Sequence, residues 1–246
     1  MIVQPKDAAT VVLLRNPRGP DAEGFEVLMV MRNRNSKFVP GFYVYPGGAL
    51  DEEDCAPDME GFCGGLKGAL AHLLLDHPAS PARSLGAWVA GIRETFEEAG
   101  LFLAYRGDGG LLSFHADRTD PFHRYRELLR QGKISFRELL RQEGLVLATD
   151  RLHYFSHWVT PWFYPIRYDV RFFIAEAPAG QEAVHDGGEL TEHAWVTPRN
   201  ALDLHERGRF DMVFPTVMTM KALCRFGTIR EAIESTAGKR IILESG

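Results

Sequence analysis

Arg93-Glu94-Thr95-Phe96-Glu97-Glu98-Ala99-Gly100-Leu101 decides how this chain is read. Spacings of three and four residues bring side chains together on a helix surface, so Glu94, Glu97 and Glu98 share one face. Like charges at that spacing destabilise a helix. Two of them also sit near its C-terminal end, where the macrodipole disfavours negative charge. A divalent cation removes both objections, because clustered carboxylate oxygens suit Mg²⁺ or Mn²⁺. Gly100 is the expected helix stop. An acidic surface patch is the plain alternative, and the residues upstream decide against it.

Outward from this segment, Leu85, Val89, Ile92, Phe96 and Ala99 recur at helical spacing and predict one apolar stripe, with the carboxylates offset from it. Further upstream, Phe42-Tyr43-Val44-Tyr45 predicts a strand that ends abruptly at Pro46-Gly47-Gly48, a loop where backbone must approach something closely. Ala8–Leu14 and Gly24–Met31 predict two more strands across a Pro/Gly/Asp turn. A short helical run is expected around Leu66–Leu75. Two short helices are expected over 119–143, the second opened by the capping box Ser135-Phe136-Arg137-Glu138. Strands are expected at His153–Val159 and Tyr168–Ala175. Thr197-Pro198 caps a helix to about Glu206, and a helical tail follows at 214–226 and 228–235. Strands interleaved with helices predict an α/β layered fold. No linker divides the chain, so residues 1–246 are expected to form one domain. It carries insertions at 55–85 and 107–150 and a helical C-terminal tail at 198–236.

Composition sets the outer limits. Hydrophobic residues make up 45% and charged residues 25%, an ordinary soluble composition that can bury a substantial core. A net charge of −5 gives no reason to expect nucleic-acid or anionic-membrane binding. Cys55, Cys63 and Cys224 form no C-x-x-C pair, so neither a disulfide framework nor a zinc site is expected. The sequence has no apolar run of roughly 18 residues and no basic, apolar leader, so a cytoplasmic location is expected.

Together, Pro46-Gly47-Gly48 and Arg93–Leu101 resemble the Nudix hydrolase family, whose pattern is G-x5-E-x7-R-E-U-x-E-E-x-G-U with U apolar. Asp54 fills the acidic slot six residues after Gly48, and Thr95 occupies one apolar slot. The box is split, because 38 residues rather than 7 lie between Asp54 and Arg93. Four segments carry the resemblance further: Pro46-Gly47-Gly48-Ala49-Leu50-Asp51, the helical segment before Gly144-Leu145, His153–Pro161 and Arg167–Phe173. They resemble the branch that includes peroxisomal enzymes acting on coenzyme A and its acyl esters.

The resemblance implies a Nudix fold, a mixed β-sheet sandwiched between helices, that hydrolyses a diphosphate linkage with Mg²⁺ or Mn²⁺. It makes Glu94, Glu97 and Glu98 the metal ligands, with the Gly47 carbonyl as a further one and Arg93 orienting the glutamates. A metal is needed chemically, since bare carboxylates would repel a diphosphate. Glu189 is the expected catalytic base, with Glu192 and Glu182 as competitors. Coenzyme A-cleaving members carry the upstream motif L-(L/F)-T-x-R-S-A-x3-R-x3-G-x3-F-P-G-G. Here Leu28, Arg32, Gly41 and Pro46-Gly47-Gly48 fall into place, but Val30 and Asn33-Arg34 depart from it, and Lys37 stands nearest the second arginine. Arg32, Arg34, Lys37, Gly48 and Arg167 are the expected substrate contacts. The expected substrate is coenzyme A or an acyl ester of it, with ADP-ribose, a nucleotide sugar or a dinucleotide as the alternative. A Nudix-fold binding module without catalysis is a third reading. A homodimer is a possible assembly.

Overall fold

The computed structural model describes residues 3–19, 23–36, 38–76, 80–114, 120–184 and 190–237. At the centre of its sheet is β1 (Lys6–Arg15), whose residues Val11 to Leu14 are fully buried. Side chains alternate across a strand. Ala9, Val11 and Leu13 therefore enter one apolar cluster, while Val12 and Leu14 enter the other. The first cluster packs under α1 (Gly68–Leu74), α2 (Pro81–Ala99), α3 (Pro121–Arg130) and α4 (Phe136–Glu143). The second packs under α5 (Pro198–Glu206), α6 (Phe214–Leu223) and α7 (Ile229–Glu234). A sheet faced by helices on both sides is the expected α/β sandwich.

The sheet is mixed. Tyr168–Glu176 (β8) runs parallel to β1 over nine paired positions, and His153–Val159 (β7) lies antiparallel outside it. On the other side β2 (Glu26–Arg32) pairs with β1 only at Leu14–Val27 and Arg15–Glu26, and then takes β9 (Leu190–Val196) along its far edge. The sheet thus forks between β1 and β2. The segment after Phe42 crosses the fork. Its first part, β3 (Tyr43–Val44), pairs with β2, and its second, β4 (Gly47–Ala49), pairs with Ala8, Ala9 and Thr10 of β1. The predicted strand at 42–45 is shorter than expected because the chain leaves β2 there, and the Pro46 carbonyl accepts instead from the Val11 amide. A separate two-stranded ribbon joins β5 (Ala104–Tyr105) to β6 (Val146–Leu147).

Helix α2 carries the acidic segment. Ser80 caps it by accepting from the Arg83 amide, Pro81 opens it, and Gly100 ends it at φ +70°. The expectation that it packs by a single stripe needs correcting. Every residue from Ser84 to Arg93 is buried, because the inserted segment covers the face that would otherwise meet water. A Cβ at Gly86 would lie 2.5 Å from Cys55 Sγ, so the insertion sits directly on the helix. All three cysteines are free thiols.

Candidate active site

The split box closes in space. Arg93 is buried, and its Nε and Nη2 donate to the two oxygens of Asp54 at 3.0 and 2.9 Å. The same guanidinium reaches Glu94 at 2.8 Å, Glu97 at 3.4 Å and the Ala49 carbonyl at 3.0 Å. A fork of five donors is matched here to carboxylates on both sides, which a lysine could not do. Burial pulls the pKa of Arg93 down, but Asp54, Glu94 and Glu97 outweigh it and hold the pKa above its ordinary value. Asp54 is 2% exposed; burial raises its carboxyl and Arg93 opposes the rise.

Gly47 and Gly48, expected in a loop, lie instead in strand β4 because they pair with β1, and they bring its backbone against the acids. The Gly47 amide donates to Glu98 Oε2 at 2.8 Å. At Gly48, a Cβ would stand 2.5 Å from the carboxyl carbon of Glu94. Glu94 is consequently confined, and burial pushes its pKa up to about 7, with Arg93 opposing the shift and Glu97 adding to it. Gly48→Ala is expected to displace Glu94 and lower turnover on the order of 10²-fold while the fold survives. Steady-state kinetics alongside a melting curve checks this, and full activity would show that the close approach is dispensable. Gly47 differs, because a Cβ there would meet the Ala9 backbone carbonyl at 2.3 Å, a clash with the sheet itself.

One residue of the site was not foreseen. Arg126 of α3 is buried, and it donates to the backbone carbonyls of Glu97 at 2.8 Å and Glu98 at 2.6 Å. The last carbonyls of a helix lack intrahelical partners and carry the negative end of its dipole. Arg126 answers both needs for the turn that bears two of the glutamates. No spacing rule links it to α2; only its lying within a strongly amphipathic inserted helix set it apart.

The other expected site residues are distributed unevenly. Arg32 ends β2 beside Leu190 and is half-buried, while Arg34 is exposed in the following turn. Lys37 and Glu189 lie outside the described residues. Arg167 makes no contact with the box among the described residues; its Nε and Nη1 donate to the Thr160 and Val3 carbonyls at 3.0 and 2.6 Å. Glu182 is in an exposed ion pair with Arg18, and Glu192 accepts from the Tyr43 hydroxyl at 3.0 Å. His157 is hydrogen-bonded to Asp169 at 2.6 Å, a structural use. Trp158 packs edge-on against Phe214, whereas Trp162, Phe163 and Tyr164 form an exposed tip.

The carboxylates whose chemistry suits a hard cation are Glu94, Glu97 and Glu98, of which Glu94 and Glu98 meet the glycine backbone of β4. Among the described residues no group of three or more acidic, histidine or cysteine side chains is already placed to hold a metal ion. The donor set nevertheless fits Mg²⁺ or Mn²⁺. Glu94 and Glu97 share Arg93 while Glu98 is held by the Gly47 amide, and burial pushes both Glu94 and Glu97 towards protonation, a strain that a cation would relieve.

Fold and box together define a Nudix protein. The NUDT19 Nudix domain family matches residues 79–223, more than half of the chain, and the chain belongs to that family. The match begins after Gly47–Asp54, so the first half of the box rests on the geometry above. Among solved structures, a NUDIX hydrolase from Alicyclobacillus acidocaldarius is similar at 27% identity and a TM-score of 0.79, covering 95% of this chain and 97% of that one. Among curated proteins, Acyl-coenzyme A diphosphatase NUDT19 of Xenopus laevis is 24% identical over 84% of this chain. The protein of the same name from Homo sapiens is 22% identical over 91%. The chain spans 62% and 67% of the lengths of those two relatives. No described helix is long and apolar enough to cross a membrane.

Proposed function

We propose that the chain is a metal-dependent diphosphatase, working as one Nudix unit, whose substrate is coenzyme A or an acyl ester of it. The observation that carries the reaction class is the Asp54–Arg93 pair, which restores an intact box across the insertion. The substrate class is supported by the names of the curated relatives and by Leu28, Arg32 and Gly41 upstream of the glycine loop.

Glu94, Glu97 and Glu98 would hold the divalent ion, with the Gly47 carbonyl as a further oxygen. Bound there, the ion would supply charge neutralisation for the diphosphate and an activated water. The chain's own part is positioning. Arg93 fixes Glu94 and Glu97 from one side, the Gly47 amide fixes Glu98, and Arg126 fixes the backbone of both later glutamates. Glu189 is our candidate for the base that takes the proton of the attacking water.

A panel of coenzyme A, acetyl-coenzyme A, ADP-ribose, a nucleotide sugar and a dinucleotide, each with Mg²⁺ and with Mn²⁺, tests the reading. Phosphopantetheine or its acyl ester should appear with adenosine 3′,5′-bisphosphate, and a chelator should abolish the reaction. AMP from ADP-ribose with no cleavage of coenzyme A would overturn the substrate assignment. Full turnover in chelator would overturn the metal.

A further inference from the structure

Inserted helices α3 and α4 are anchored to the box at both ends. Arg126 ties α3 to the last turn of α2. From α4, Arg137 holds both oxygens of Asp58 at 2.9 Å and approaches Glu53, the neighbour of Asp54, at 3.4 Å. The turn between these helices therefore has a fixed relation to the carboxylates. Between turn and box lies an open cleft of about 420 Å³, within the ~300–1,000 Å³ typical of small-molecule sites.

The two walls of the cleft differ. Asp51, Arg93 and Glu97 form one, and Gly132, Lys133, Ile134 and Ser135 form the other. Arg93 is already committed to Asp54, Glu94 and the Ala49 carbonyl. Lys133 Nζ has no hydrogen bond or ion pair among the described residues. Ser135 Oγ accepts from the Glu138 amide at 3.2 Å, which leaves its hydroxyl hydrogen to donate. Leu129 and Ile134 add apolar surface beside them.

We propose that this cleft is the subsite for the nucleotide half of the substrate, and that Lys133 takes a phosphate monoester carried on that half. The proposal rests on the diphosphatase reading. The scissile diphosphate belongs at the edge of the carboxylate wall, where Glu97 is the one proposed metal ligand that lines the cleft. An ammonium on the facing wall meets a different anionic group of the same molecule, and a compact point charge with rotatable donors suits a phosphate.

The test compares coenzyme A with 3′-dephospho-coenzyme A as substrates of wild type, Lys133→Ala and Lys133→Arg. Loss of one charge-assisted hydrogen bond is expected to raise KM for coenzyme A about 10- to 100-fold in Lys133→Ala. 3′-Dephospho-coenzyme A should stay within about twofold of wild type, and Lys133→Arg should recover most of the loss. An equal effect on both substrates, or none on either, overturns the assignment. Calorimetry with adenosine 3′,5′-bisphosphate and with AMP reads the same preference without turnover. If wild type cleaves neither coenzyme A compound yet prefers the bisphosphate, and Lys133→Ala abolishes that preference, the coenzyme A assignment fails and the subsite stands. If there is no preference to lose, the subsite fails on its own.

Discussion

Glu98→Gln is expected to lower kcat about 10²- to 10³-fold while the protein melts at or above the wild-type temperature without metal. Glutamine keeps an oxygen for the Gly47 amide, so the loop contact at 2.8 Å can persist. What disappears is a negative charge that is 5% exposed, stands one residue from Glu97 and sits at the negative end of a helix dipole. Removing it eases repulsion in the folded state and, on the proposed reading, would deprive the cation of a ligand. Opposite movement of stability and activity separates a functional acid from a structural one. Calorimetric melting with kinetics at saturating Mg²⁺ measures both. Unchanged turnover would sink the catalytic assignment.

The second large effect falls on stability. Asp54→Ala removes the bidentate partner of Arg93 and leaves a buried guanidinium short of two hydrogen bonds. Breaking a buried pair from one side costs about 3–5 kcal/mol, which for a chain of this size lowers the melting temperature by roughly 6–20 °C. Asp51→Ala is the control. Its carboxylate also approaches Arg93, at 3.6 Å, but its side chain is 69% exposed, so about 0.5 kcal/mol or less is expected. Equal melting temperatures for the two variants would mean that Asp54 is not the anchor of Arg93.

Local signals in the sequence predict the structure where their cause is local. The Ser135 capping box, the Thr197-Pro198 helix start and the Gly100 stop all form as expected, because each is decided within four residues. Strands β7 and β8 were legible from their alternation and aromatic content. The acidic slot at Asp54 could be identified from its distance to Gly48, although its partner lies far along the chain. The burial of α2 on all sides could not be read, because the segment covering its outer face has mixed, glycine-rich sequence and no clear period. The local use of Arg167 is hidden for a related reason: nothing in its neighbours reveals that two of its donors will go to the Thr160 and Val3 carbonyls. Arg126 escaped notice because its target is backbone, which has no sequence signature.

The split in the box also has an entropic meaning. Closing a flexible loop costs an amount that grows only with the logarithm of its length, so stretching the link between Asp54 and Arg93 from 7 to 38 residues adds about 1.5 kcal/mol. One buried bidentate ion pair, with the inserted segment resting on Gly86, is of the size needed to keep such a loop shut. Contiguity along the chain is thus a cheap property to lose. A catalytic motif can be cut open by dozens of residues and still assemble, provided that the pair at the two lips of the cut is retained.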